Sequence, residues 1–352
     1  MEIKDILKKA IDDQASDIFI VAGANLSFKI NGHIVRQNEE ILKPDDTRSL
    51  VEQIYALKNG INNKTINEVG EDDFSFALSN LGRFRVNVYY QRGSLAAVLR
   101  VVRFELPDYR DYHINDTVMN LANLTKGLVL VTGSAGSGKS TTLACLIDKI
   151  NKERNGHIIT IEDPIEYIHR HKNSIVSQRE LFHDTKGYLE ALRAALREAP
   201  DVILVGEMRD LETIQTVLQA AETGHLVLST LHTIDATETI NRIINVFPAE
   251  QQQQIRIQLS MVLQGVVSQQ LIPTLDNKMH PAFEIMIINN AIRTQIRESK
   301  THQIPNSIAS GKNVGMISMD DSLLELYKNG IISKENALLY AANPDILAKK
   351  VL

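Results

Sequence analysis

The chain of 352 residues has one cysteine, no tryptophan and only 5% aromatic residues. With Cys145 alone, no intrachain disulfide forms and no metal site needing two cysteine ligands is built, so a reducing compartment fits. A basic excess is missing too. The 38 Lys and Arg stand against 43 Asp and Glu, a net charge of −5, which argues against a protein whose main task is to coat nucleic acid. Long apolar runs are lacking: Leu128–Val131 and Val202–Val205 fall far short of the roughly 20 residues that cross a bilayer. The stretch Met1–Lys9 is charged from its second residue and holds no apolar segment of signal-peptide length. A cytoplasmic protein is expected. What remains is ordinary globular material, 43% apolar and 23% charged, long enough for two domains whose cores hold without cross-links.

The first hundred residues read as a small α+β unit. Ile3, Ile6, Leu7 and Ala10 lie at helical spacing, and short runs at Asp17–Val21 and Leu26–Ile30 flank a turn at Gly23-Ala24-Asn25. Pro44-Asp45-Asp46 opens a helix to about Leu57. From Asp72 to Val102 apolar and polar residues alternate, which predicts two or three antiparallel strands bending at Ser79-Asn80 and Arg92-Gly93. Pro107–Asp116 is polar and aperiodic and reads as a linker. Beyond Leu121 the pattern changes to strands at Gly127–Thr132, Ile158–Ile161, Val202–Val205 and Leu226–Thr230. Helices at Lys139–Asn151, Lys186–Glu198 and Leu211–Glu222 separate them, which predicts a mostly parallel sheet covered on both faces. After Pro248 the chain reads as chiefly helical, through Gln251–Gln264, Ala291–Ser299, Asp320–Asn329 and Lys334–Ala342.

Four places carry chemistry. Gly133-Ser134-Ala135-Gly136-Ser137-Gly138-Lys139-Ser140, with Thr141 after it, follows an apolar strand and opens a helix. Glycines there let backbone N–H groups turn inward around a triphosphate, Lys139 reaches the β and γ oxygens, and Ser140 can ligate Mg²⁺. Ile161-Glu162-Asp163-Pro164 begins as the next strand ends; alone it reads as an acid-rich helix start, but its place one strand after the phosphate loop favours a carboxylate that holds Mg²⁺ through water or orients and deprotonates an attacking water. Val202–Val205 ends in Gly206-Glu207, a strand that carries an acid to the sheet edge, so Glu207 is the foremost candidate for a catalytic carboxylate. His225 and His232 bracket the fourth strand, seven residues apart. They read as hydrogen-bond donors sensing the γ-phosphate or a subunit boundary, or as histidines that simply satisfy the strand ends. In the first unit Arg83, Arg85, Arg92, Arg100 and Arg103 cluster, either a solvated sheet face or a supply of arginines to bound phosphates.

These blocks resemble the secretion ATPase superfamily of hexameric motors, in the branch that powers retraction of type IV pili. The resemblance rests on the phosphate loop Gly133–Thr141, on ITIEDPIEY at Ile159–Tyr167, on ALRAALREAPDVILVGEMRD at Ala191–Asp210 and on TGHLVLSTLHTIDA at Thr223–Ala236. Ala291–Glu298, AIRTQIRE, is similar to the AIRNLIRE segment associated with retraction and departs from it at Thr294 and Gln295. One cysteine cannot build the four-cysteine zinc insertion usual in extension and secretion members. The resemblance implies an α/β chain: an N-terminal PAS-like α+β domain at 1–105, a linker at 106–118, and a RecA-like P-loop ATPase domain at 119–352 with C-terminal helices from about 289. It further implies a homohexamer that hydrolyses ATP with Mg²⁺ and binds neither zinc nor nucleic acid directly. Such a ring works on the cytoplasmic face of the inner membrane through the pilus platform protein. Arg85 and Arg100, then Arg83, would approach the phosphates; Glu207 and Glu162 would share water activation and Mg²⁺ ordering. Related rings for pilus extension, type II secretion or DNA uptake share this chemistry, and a nucleotide-gated adaptor without turnover is the non-enzymatic alternative.

Overall fold

The alternation after Asp72 gives a sheet with one buried and one polar face, and a computed structural model shows how it is built. The structure describes residues 2–30, 32–57, 64–78, 81–102, 106, 108–276 and 278–351. Ser79, Asn80, Arg103 and Pro107, expected at a bend, in the arginine group and in the linker, lie outside the described residues. Two units form: Met1–Glu105 with Glu166–Ile168, and Leu106–Ile165 with His169–Leu352.

The first unit holds six strands, β1 (Asp17–Ile20), β2 (Asn25–Ile30), β3 (His33–Ile41), β4 (Glu71–Leu78), β5 (Gly82–Gln91) and β6 (Ser94–Val102). They run in the order β3-β2-β1-β6-β5-β4, each pair antiparallel. Phe84, Val86 and Val88 point to one face. There they pack with Leu7 and Ile54 from the helices Ile3–Asp12 and Pro44–Leu57. The β5–β6 hairpin closes on Arg92 and Gly93, both with positive φ, the mirror-image turn whose twist suits a two-residue connection. β3 was not expected. It is an edge strand with largely exposed side chains, so no buried stripe marks it in the sequence.

In the second unit the strands are β7 (Gly127–Thr132), β8 (His157–Glu162), β9 (Ile175–Glu180), β10 (Val202–Val205), β11 (Leu226–Leu231), β12 (Leu263–Pro273) and β13 (Met279–Ile287). The sheet order is β13-β12-β7-β11-β10-β8-β9. All neighbours are parallel except the β12–β13 pair. Every residue of β7 is buried. Leu128 and Leu130 enter one core and Val129 and Val131 the other, so the sheet is covered on both faces, as its continuous apolar runs require. Truncating Leu130 to Ala in such a place costs about 2–5 kcal/mol.

Three features differ from expectation. The region after Pro248 is chiefly helical, as expected, but helix Ala249–Val262 stops short of Gln264 and runs directly into an unexpected strand, β12, and β13 returns antiparallel to it. β9 is an additional edge strand. The stretch read as a linker also contributes to a core, because Ile114 and Val118 are buried with Val129 and Val131 in the second unit.

Candidate active site

Strand order does the assembling. β7, β11, β10 and β8 are consecutive neighbours, and each carries its motif at its carboxyl end. Thr132 pairs with Leu231, Ser229 with Val205, and Val205 with Ile161. The phosphate loop after Thr132, His232 after Leu231, Glu207 just beyond Val205, and Glu162 at the end of β8 therefore share one sheet edge. Across three inter-strand steps of about 4.8 Å each, the row spans roughly 14 Å. Ligands of open α/β sheets bind at such an edge.

The loop itself is shaped by glycine. Gly133, Gly136 and Gly138 have positive φ, and a Cβ on Gly133 would collide with the Gln269 carbonyl and Ser137 Oγ. In front of Gly136 no heavy atom lies within 4 Å of where a Cβ would stand. Lys139 is buried and its Nζ donates to the carbonyls of Gly133 and Ser134, each at 2.8 Å. Ser137 Oγ is buried without a hydrogen-bond partner among the described residues. A lysine bonded to its own loop carbonyls, a buried hydroxyl without a partner among the described residues and open backbone at Gly136 fit a polyphosphate. Ser140 is the second residue of the helix Lys139–Glu153; its hydroxyl and the carboxylates of Glu207 and Glu162 at the same sheet edge are oxygen donors, the kind that suits Mg²⁺.

Glu207 is buried. Its Oε2 lies 3.1 Å from His232 Nε2, and its Oε1 meets Arg209 Nε. His232 is held below its ordinary value, first by burial, then by the charges of Lys139 and Arg209, with a hydrogen bond to the Gly133 backbone carbonyl opposing them. Neutral at pH 7, the imidazole donates to the carboxylate. Glu162 Oε1 accepts from Thr160 Oγ1 at 2.6 Å and from Gln178 Nε2 at 3.2 Å.

His225 does not join them. It precedes β11, where its carbonyl accepts from Gly127 N at 2.9 Å, at the amino edge of the sheet. Six residues of strand separate it from His232, seven steps or about 23 Å at 3.3 Å per residue. Its Nδ1 sits 2.9 Å from the Ala220 carbonyl. Within this chain that contact serves the strand end, away from the row that the other motifs form.

Arg85 and Arg100 are cross-strand partners on β5 and β6. Arg85 pairs with Asp73 at 3.1 Å and Arg100 with Asp17 at 3.2 Å. Arg83, two residues before Arg85 on β5, projects from the same face of the strand. The arginine face exists, and carboxylates from β4 and β1 partly neutralise it.

Residues outside the motifs also build the site. Gln269 on β12 supports the loop: its Oε1 accepts from Thr142 Oγ1 at 2.7 Å, and its carbonyl lies under Gly133. Ser268 Oγ receives Thr132 Oγ1 at 2.9 Å. Arg209 was visible only as part of a longer motif, and nothing in the sequence linked it to Glu207. In the helix Asn290–Arg297, Ile292 and Ile296 are buried. Thr294 and Gln295, the two departures from the retraction segment, are only partly covered, and Gln295 Nε2 donates to Ser307 Oγ at 2.9 Å.

Residues 1–338 match the model of the type II/IV secretion system protein family. The chain belongs to that family. It is 44% identical to the type IV pilus retraction ATPase PilT of Pseudomonas aeruginosa, over 98% of this chain and 99% of that one. It is also 40% identical to the twitching motility protein of Neisseria gonorrhoeae, over 98% of this chain and 92% of the relative. A crystal structure of the pilus retraction motor PilT with bound ADP superposes with a TM-score of 0.91 at 47% identity, covering 99% of both chains. Among the described residues no helix is long and apolar enough to cross a membrane.

Proposed function

We propose that this chain is the ATP-hydrolysing motor of type IV pilus retraction and that it works as a hexameric ring. The observation that carries the reading is the row of the phosphate loop, His232, Glu207 and Glu162 along one sheet edge. Similarity to retraction ATPases over nearly the whole chain supports the motor assignment. Gly133–Thr141 would cradle the triphosphate of ATP through backbone N–H groups, and Lys139 would turn from its own loop carbonyls to the β and γ oxygens. Ser140, with Glu207 and Glu162, would hold Mg²⁺, whose charge would help neutralise the phosphates. Glu207 accepts the proton of the attacking water at a carboxylate oxygen. As the new bond to the γ-phosphorus forms, the bond to the bridging oxygen breaks and ADP leaves with that electron pair. His232, neutral and hydrogen-bonded to Oε2, keeps the carboxylate aimed.

In this reading residues 1–105 form the PAS-like domain, 106–118 the hinge and 119–352 the RecA-like ATPase domain with its C-terminal helices. Arg85 and Arg100, with Arg83 beside them, would exchange Asp73 and Asp17 for the phosphate oxygens of a bound nucleotide. The work of hydrolysis would be passed to the pilus platform at the cytoplasmic face of the inner membrane. The reading is tested in cells that rely on this chain alone for retraction. Labelled pili should shorten with the wild-type chain and persist without shortening when only Glu207→Gln is supplied. Retraction sustained by Glu207→Gln overturns the proposal.

A further inference from the structure

Glu284 belongs to none of the motifs. It stands on β13, where its Oε1 accepts the Ala236 amide at 2.9 Å, the first N–H of the helix Ala236–Asn245. The same carboxylate faces the backbone of Met319, which favours its charged form and is the first residue of the helix Met319–Lys328. One side chain thus meets the amino ends of two helices, where the helix dipole favours negative charge. Burial opposes that charge, as do the carboxylates of Asp235 and Asp320 facing it from the two helix starts, and the group is pushed up to about 7.

Ala236 is four residues beyond His232, and the intervening chain is tied down. Ile234 N donates to Glu238 Oε2 at 3.0 Å, Thr233 Oγ1 and Thr239 Oγ1 share a hydrogen bond of 2.6 Å, and Asp235 Oδ1 receives Glu238 N at 2.7 Å. Between Leu231 at the end of β11 and the helix lies a short, stiff link. Its far end is set by Glu284.

We infer that Glu284 is a positioning residue for ATP hydrolysis: it fixes the start of the helix Ala236–Asn245, hence the placement of His232 against Glu207, and joins that placement to the C-terminal helices. The inference rests on the His232 and Glu207 roles proposed above. Its electrostatics make the joint responsive near neutrality. As pH falls, the carboxylate takes up a proton and its charge-assisted bond to the Ala236 amide becomes a neutral one, which resets the placement of His232 even as relief of the buried charge stabilises the fold.

A double-mutant cycle on ATP turnover by the full chain tests this. Glu284→Gln should lower kcat about five-fold with KM for ATP within about two-fold, and should lower it no further in a His232→Ala background. Wild-type kcat should fall between about pH 8 and pH 6.5, and Glu284→Gln should flatten that fall. If Glu284→Gln does not fold, Ala236→Pro replaces it: proline is tolerated at the first helical position and removes the amide that Glu284 accepts. Equal losses in the two backgrounds, or a shifted melting temperature with unchanged kcat, overturn the inference alone. A His232→Ala variant with wild-type kcat overturns the His232 reading and this inference with it.

Discussion

His232 Nε2 lies 3.1 Å from Glu207 Oε2, a hydrogen bond between the carboxyl ends of two adjacent parallel strands. The phosphate loop follows the next strand on the His232 side, so this pair stands beside the place where a γ-phosphate would be held. A neutral imidazole donating to a carboxylate fixes its direction without adding a charge that would hold it deprotonated. Arg209 occupies the other oxygen. Glu207 is thus placed by both neighbours before any nucleotide arrives.

The two histidines should separate cleanly in kinetics. His232→Ala is expected to lower kcat by about 10–100-fold with little change in ATP affinity. His225→Ala, at the opposite edge of the sheet, should hydrolyse ATP at close to the wild-type rate. Because His232 is held below its ordinary value of 6.5, it stays neutral through neutral pH and takes up a proton only in the acid range. The part of the acid limb of kcat that lies below about pH 6.5 should disappear in His232→Ala. Pre-steady-state and steady-state assays across pH measure both.

Lys139→Ala removes the one cation that the loop folds around, since Nζ bridges the Gly133 and Ser134 carbonyls. Affinity for ATP should fall by about a hundredfold or more, in keeping with loss of a charge-assisted phosphate contact. Titration with a fluorescent nucleotide reads the loss directly. Near-normal affinity would move the phosphate site elsewhere.

The central strands were legible because each is buried on both faces and written as an unbroken apolar run, as in Val202–Val205 and Gly127–Thr132. β12 was not. It follows the helix Ala249–Val262 with no glycine or proline break, and its middle is polar because Ser268 bonds Thr132, Gln269 supports the phosphate loop and Gln270 donates to the Tyr340 carbonyl. β3 and β9 are edge strands whose polar, exposed residues give no stripe to read. The chemical motifs were legible as residue types, yet their mutual positions depend on strand order, which spacing does not encode. His225 shows the limit from the other side. Two histidines flanking a six-residue strand cannot both reach one edge, and that was readable from the strand's length.

Gln269 supplies a test of the loop's support. Gln269→Ala leaves Thr142 Oγ1 without its partner in the interior, a loss of about 1–3 kcal/mol in stability. It should also weaken nucleotide binding, since the same residue lies beneath Gly133 and Gly138. Denaturant unfolding and nucleotide titration should shift together. Unchanged stability would show that the Thr142–Gln269 bond is not formed.

Glu284 makes a signed prediction for stability. Its folded value of about 7 exceeds the ordinary 4.5, so between these values the folded chain keeps a proton that the unfolded chain has lost. Stability tied to this group is fully present below pH 4.5 and lost as pH rises through about 7. The loss is roughly 3 kcal/mol from the size of the shift. Glu284→Gln should remove that slope, so the difference between variant and wild type should move in the variant's favour from pH 4.5 to pH 8 in chemical denaturation. A constant difference would contradict the assignment.

The central claim, that this chain is a ring-forming ATPase whose turnover depends on Glu207, is tested most directly by ATP hydrolysis across a protein dilution series. Mass would be determined on the same samples, for wild type and Glu207→Gln. The account predicts turnover that rises as a six-subunit species assembles and that falls by about 100-fold or more in Glu207→Gln, with nucleotide still bound. A monomer that binds ATP without hydrolysing it, or a Glu207→Gln variant at the wild-type rate, would contradict it.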